Sequence, residues 1–598
     1  MKPLRLLGAV LLVLLAGTTP AQAAKVLRYA FPVAETSFDP AAVSDLYSRT
    51  VLAGLFEAPL EYEYMAQPVR LRPNTLVSMP EVSADYRTFT FRLKPGIFFA
   101  DDPVFKGAKR ELVAADYVYT LKRFYDPRWK SPQLYLLEAP RILGLSELRA
   151  ESLEKKQPFD YDREVDGLKL LDRYTFQVRL AHPSPRFLNN FADPSFTGAV
   201  AREVVEAWGD KIGEHPVGTG PFVLKDWKRS SRIVLARNPG YRDVRHDEHP
   251  PAANARLQRE AAALAGRRLP LVDEVHIVIA EESQPRWLSF LNAEQDVIEA
   301  VPNEFANIAF PNAVLAPNLA RQGMTMVRYP RGDMTYTFFG MEHPLVGGYT
   351  PEKVALRRAI ALAIDSEREI RLVRRGQAVL AHSTIGPGMW GHDPAFRSEM
   401  GQHDPTRAKA LLDLHGYTDR DGDGWREQPD GRPLVLEVAT QPDQLSRQLA
   451  ELMQKNLNAV GLRVDFKTAK WPENLKAART AKLMMWGLGW VSGSPDGDTF
   501  LAVAYGPNKG QSNHSRFDLP AFNRLYEQQR VLPDGPERQA LMTQAGKLLV
   551  AYMPLKVNTH RIGTDLAHRW VRGYHRNTFV REFYKYVDVD PILSGASR

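Results

Sequence analysis

The side chains whose types and spacing bear most directly on chemistry lie in three short stretches. In Asp419-Arg-Asp421-Gly-Asp423-Gly424, carboxylates stand at loop positions 1, 3 and 5 and glycine at 6. Glu427 follows at 9 and Asp430 at 12, the spacing of a calcium loop. Asp430 replaces the usual bidentate glutamate, and Pro429, Gly431 and Pro433 preclude an exiting helix. A turn before a strand is therefore the competing reading, and no metal is assigned. His246 and His249 could form a metal pair, but Pro250-Pro251 forbids the helix that would present them together. Trp486 and Trp490 are four apart with Gly487 and Gly489 between them, so in a strand both face one side, towards a core or a pocket. Catalytic signatures are missing: there is no G-x-S-x-G elbow, H-E-x-x-H or Walker A, and none of the 14 histidines sits in a recognisable catalytic setting. Zero cysteines exclude disulfides, thiolate metal sites, a cysteine nucleophile and a lipid-modified N-terminal cysteine.

The elements that would position these groups are those of an ordinary globular chain, 44% hydrophobic and 25% charged. Net charge is +8, from 78 Lys+Arg against 70 Asp+Glu, and it is dispersed. The densest stretch, Arg368, Arg371, Arg374 and Arg375, is interleaved with Glu367 and Glu369. Glu367 and Arg371 have the spacing of an exposed helical ion pair, so it reads as a solvated face and not a nucleic-acid footprint. Lys2 and Arg5, the uncharged run Leu6 to Gly17 and Ala21-Gln22-Ala23 form a secretory signal peptide over 1–23, cut after Ala23. The mature chain then carries +8 − 2 = +6 and no later membrane-length apolar run, so it is expected to be soluble, free in a periplasm and not lipid-anchored.

Alternating segments such as Lys25 to Phe31, Phe89 to Leu93, Tyr174 to Leu180 and Leu434 to Val438 read as strands. Between them, Leu112 to Phe124 reads as a helix with Asp116 and Lys122 outward, and Val354 to Ile364 as a buried helix with Thr350 as N-cap and Pro351 at its first position. Arg245 to Arg268 reads as an inserted exposed loop with a short helix. The class is α/β, mixed α+β, without a repeat.

Several stretches together resemble the bacterial family 5 extracellular solute-binding proteins, the oligopeptide-, dipeptide- and nickel-binding components of ABC importers. They are Glu214-His-Pro-Val-Gly-Thr-Gly-Pro-Phe222 with Trp227 and Ile233 to Tyr241, and Leu356 to Ile370. Asp39-Pro40 with Leu55-Phe56-Glu57, Ala115 to Thr120, Asp419 to Glu427 and Trp486 to Leu501 follow in the family's order. In the first of these, Gly218 and Gly220 are expected to make a tight positive-φ turn of the scaffold.

The resemblance implies a bilobate periplasmic-binding-protein fold: two hinged lobes, an extra subdomain in lobe I, and a ligand enclosed between them. By motif order, lobe I covers 24–69, 175–332 and the C-terminal return 555–598. The extra subdomain covers 70–174 and lobe II 333–554, with crossings near Arg331 to Tyr336 and Met553 to Val557. The implied function is capture of a peptide or peptide-like solute and delivery to an inner-membrane ABC permease, by a monomer with no cofactor and no catalysis. A chaperone or sensor of the same fold is the alternative, and a secreted hydrolase a weaker one.

Peptide-binding relatives carry a motif like W-x-x-D-Y-x-D-P, whose first Asp is the counter-ion of the peptide ammonium. Here Trp490-Val-Ser492-Gly493-Ser494-Pro495-Asp496-Gly497-Asp498 puts Gly493 at that position, which departs from the family's grip on a free amine. Asp496 or Asp498 either substitutes for it or braces the loop. The same resemblance brings Trp490 beside the ligand, with Trp486 either there or in the core, adds Ser492 and Tyr336, and implies cleft positions for Ser44, Asp45 and Leu46 in lobe I; Asn513 in lobe II is either a polar contact or a turn former. Restoring an aspartate at Gly493 is expected to raise affinity for free-amine peptides.

Overall fold

The structure is a computed structural model and describes residues 24–594. The signal peptide read over 1–23 lies outside the described residues.

Two large clusters of buried apolar side chains divide the molecule into two lobes. The first lobe is built on a four-stranded sheet in the order Val26–Phe31, Glu274–Ile279, Arg232–Arg237, Phe222–Lys228. Val26–Phe31 runs parallel to its neighbour and the other pairs are antiparallel. The period-two pattern puts Leu27, Tyr29 and Phe31 into the core. A second, antiparallel sheet, Glu81–Val82, Thr88–Arg92, Thr175–Arg179 and Leu168–Asp172, packs Phe91 and Phe176 face to face at 4.7 Å. The helix beside it, Ala114–Tyr125, buries Asp116 and Lys122 instead of exposing them. Asp116 pairs with Arg110 at 2.6 Å, and the Lys122 ammonium donates to the Tyr161 and Arg163 carbonyls, both at 2.8 Å, so partners offset the desolvation.

The largest sheet has eight strands and binds the lobes together. Its long strand Leu555–Ala567 pairs with Asp333–Phe339 through Thr559, with Ala378–Leu380 over Thr559 to Arg561, and with Thr325–Pro330 from Ile562 onward. The change of partner thus falls at Thr559 to Ile562, a little beyond the crossing read at 553–557. Met485–Val491 lies on the other side of Asp333–Phe339, with Trp490 opposite Met334 and Leu488 opposite Tyr336.

Several of the stretches that carry the resemblance are scaffold. Asp39 takes a bidentate pair from buried Arg123 at 2.7 and 3.0 Å. Glu57 accepts from Arg242, Tyr241 and Thr219. Gly218 and Gly220 do not adopt positive φ. They are glycine because a Cβ would meet the Leu55 carbonyl oxygen at 2.1 Å and the Gly54 oxygen at 2.5 Å. The helix Pro351–Ala363 is buried as its pattern requires, although the Thr350 side chain makes no capping bond. Arg357, with no exposed surface, donates to the Val346, Gly348, Tyr552 and Met553 carbonyls, closing the C-terminal end of Pro536–Tyr552.

Candidate functional site

A cavity of about 570 Å³ lies between the lobes. Its wall from the first lobe begins at the helix Leu46–Leu55. Asp45 caps that helix, accepting from the Ser48 amide at 2.8 Å and the Thr36 hydroxyl at 2.5 Å, so its carboxylate is already engaged. Ser44, Asp45 and Leu46 all line the cavity, and Arg49, one turn further, joins them. The opposite wall is the strand Met485–Val491 and the loop after it. Trp490 presents its ring there, edge-on to His514 at 6.0 Å, and its buried indole N–H has no partner. Tyr336 also reaches the cavity with a buried, unpartnered hydroxyl. Burial, and then Arg479, holds the His514 imidazole down at about 3, so it is neutral in physiological conditions.

Not every expected residue arrives. Trp486 has no exposed surface and packs at 5.1 Å against Trp471, which itself lines the cavity. It lies one layer back on the same strand face. Asn513 is buried in a turn, donating to the Tyr505 and Phe517 carbonyls at 2.9 and 2.8 Å and accepting from Ser515. Ser492 is buried and bonds Ser494, bracing the loop. Neither lines the cavity. Asp496 and Asp498 do border it, but both are committed within the lobe. Asp496 receives the Arg538 fork at 2.7 and 2.8 Å and caps the Asp498 amide at 2.8 Å. Asp498 accepts from Gln529, and burial followed by the Asp496 charge raises its carboxyl.

The cavity wall is rich in arginines that the motifs do not mark. Arg331 and Arg561 share Asp333 at 3.3 and 2.7 Å, Arg374 pairs with Glu369 at 2.6 Å, and Arg576 with Glu299 at 2.5 Å. Arg374 is therefore a buried cleft residue and not part of a solvated face. Among the described residues no ion pair joins Glu367 to Arg371, because Glu369–Val373 winds as a π-turn and the four-residue spacing no longer stacks them. The lobes touch around the rim. Arg186 of the first lobe donates to the Arg530 and Leu532 carbonyls at 2.8 and 2.9 Å and stands 3.3 Å from Asp496. The Tyr135 amide donates to Gln511 at 2.7 Å, and Arg479 donates to Ser44 at 2.5 Å. Such a wall can enclose a small solute with polar and aromatic partners.

Elsewhere, Asp419, Asp421, Asp423 and Glu427 converge with oxygens within 4.8 Å of one another. Asp430 turns away to Arg432, 2.7 Å distant, so the twelfth position of the loop is not a ligand. The cluster's oxygens accept from the Gly422, Gly424, Asp423 and Trp425 amides, the pattern of a hydrogen-bonded turn. His246 is buried with its imidazole pushed down to about 4 by burial, whereas His249 is exposed beside Asp247.

A two-lobed binding protein with its ligand cleft at the lobe interface is what this fold and site define. The chain belongs to the bacterial extracellular solute-binding proteins, family 5, whose middle region matches residues 70–512. It is 24% identical over 581 residues to Di/tripeptide-binding protein 2 of Pseudomonas aeruginosa, covering 95% of each chain. The Dipeptide-binding protein of Escherichia coli is 24% identical over 519 residues, 85% of each. Among solved structures, the periplasmic binding protein DppA of Helicobacter pylori in complex with the peptide STSA superposes with a TM-score of 0.75 at 20% identity, covering 94% of this chain and 98% of that one. Among the described residues no helix is long and apolar enough to cross a membrane.

Proposed function

We propose that this chain is the periplasmic receptor of an ABC importer, capturing a peptide or peptide-like solute between its lobes and passing it unchanged to an inner-membrane permease. The observation that carries the reading is the interlobe cavity of about 570 Å³, within the range of small-ligand sites and faced by Trp490, Tyr336 and Trp471. The peptide relatives named above support the ligand class. Export by a signal peptide over 1–23 and a monomeric state belong to the same reading. So do lobe boundaries at 24–69, 175–332 and 555–598 for the first lobe, 70–174 for its subdomain and 333–554 for the second. The side chains expected to meet the solute are Trp490, Tyr336, Leu46 and Ser44, with Gly493 leaving room; Asp45, Asp496 and Asp498 brace the wall. Native mass spectrometry of the mature protein, before and after denaturing release, is the test. A stoichiometric small molecule released unmodified is expected; a product chemically altered by the protein, or binding confined to unfolded chains, refutes the proposal.

A further inference from the structure

The cleft wall at Gly493 carries an unusual imbalance of charge. A Cβ placed there would stand 3.3 Å from Arg49 Nη2, 3.4 Å from Asp193 Oδ2 and 3.8 Å from Arg581 Nη2. Asp193 is already satisfied. One oxygen takes the Arg49 Nη2 bond, and the other accepts from the Ser195 amide at 3.0 Å and the Ser195 hydroxyl at 2.5 Å. Arg49 spends its Nε on the Ser195 hydroxyl oxygen at 2.9 Å. Arg581 is left over. It is 6% exposed, its Nε and Nη2 are buried without a hydrogen bond, and among the described residues no ion pair reaches it. Glu582, the next acid in sequence, stands beside Lys585 at 3.8 Å. Two guanidinium groups thus meet one carboxylate beside a residue that has no side chain to answer them. Of the other arginines of the cavity, Arg331, Arg374, Arg561 and Arg576 have carboxylates, Arg186 reaches Asp496 and Asp534, Arg286 donates to the Ala280 and Glu281 carbonyls, and Arg530 lies over the Tyr526 ring.

A buried guanidinium with free N–H groups is costly, and its planar fork matches the paired oxygens of a carboxylate, the acid group that a peptide-like solute carries. We infer that the Gly493 end of the cleft binds a carboxylate of the solute, held by Arg581 with Arg49 beside it. This rests on the receptor reading above and specifies its ligand: the solute enters acid-end first, and a free ammonium is repelled from this wall. An aspartate at 493 would put its carboxylate against Arg49 and Arg581 and fill the site from within, so the gain in free-amine affinity expected from the motif is reversed.

The test uses ligand-stripped mature protein and three probes: N-acetyl-Ala-Ala, its C-terminal amide, and Ala-Ala amide bearing a free amine. Calorimetry should give the acid about 10- to 100-fold tighter binding than its amide, the scale of a charged hydrogen bond. That ratio should collapse towards one in Arg581→Met and in Gly493→Asp. Gly493→Asp keeps the test open should Arg581→Met fold poorly. Equal binding of acid and amide, tightest binding of the free amine, or a ratio unmoved by both variants overturns the inference. If no probe binds, the peptide reading fails, and the site is read alone from thermal shifts with succinate at constant ionic strength. A rise in Tm that Arg581→Met abolishes sustains the carboxylate site, and no rise in the parent protein overturns it.

Discussion

Arg186 is the contact whose removal should most directly loosen the closed cleft. Its side chain leaves the first lobe and donates to two carbonyls of the second, Arg530 at 2.8 Å and Leu532 at 2.9 Å, while standing 3.3 Å from Asp496 and 3.2 Å from Asp534. Asp534 is half exposed, so its pair contributes little. Asp496 keeps the Arg538 fork and is not orphaned when Arg186 is cut back. What remains is two charge-assisted bonds to carbonyls that regain water when the lobes part, together about 2–3 kcal/mol. Arg186→Ala should therefore lower the closed-to-open ratio about 30- to 150-fold. The loss should appear as faster ligand release, and as an increased radius of gyration by small-angle scattering without ligand. Arg186→Lys should recover little, because one ammonium cannot span two carbonyls and two carboxylates. A release rate within about threefold of the parent protein, with unchanged scattering, would refute the view that this residue latches the lobes.

Three further outcomes separate cleft from scaffold. Trp490→Ala should weaken solute binding about 30-fold with a small change in Tm, whereas Trp486→Ala, buried behind Trp471, should cost about 3–5 kcal/mol in denaturant unfolding. Asp496→Ala should cost about 2–3 kcal/mol, with or without ligand, by taking the bidentate partner from the fully buried Arg538, which keeps Gln529 and the half-exposed Asp534. Lys556 is fully buried; burial, partly countered by Glu369, lowers its ammonium to about 8. Its folded value lies below the unfolded one, so the charging cost is present in full below pH 8 and is relieved as pH rises towards 10.5, a gain of about 3 kcal/mol. Unfolding free energies across that window should rise in the parent protein relative to Lys556→Met; parallel curves would refute the assignment.

The sequence carries the fold well where one physical signal acts alone. Alternation over Lys25 to Phe31 and Leu434 to Val438 yields strands, and the wrap of apolar positions after Pro351 yields a buried helix. It misleads where partners from afar decide. Asp116 and Lys122 look outward by charge, yet Arg110 and the Tyr161 and Arg163 carbonyls make their burial affordable. Arg374 looks solvated until a π-turn carries it to Glu369 in the cleft. For the site, Trp490 and the lobe I stretch at Ser44 to Leu46 were legible through the family resemblance, which follows the order of short motifs along the chain.

Arg581 was not legible. It lies in the C-terminal return with no motif, far along the chain from Arg49 and Asp193, and its meaning comes from what is missing around it. The departure at Gly493 was visible as a lost aspartate, but its sense was not. Loss of an acid from a wall with no cations would make a neutral pocket; loss opposite Arg49 and Arg581 makes a positive one. Reading the sign of a binding site from one side of a cleft therefore fails in principle, because closure brings the deciding charges from the other lobe.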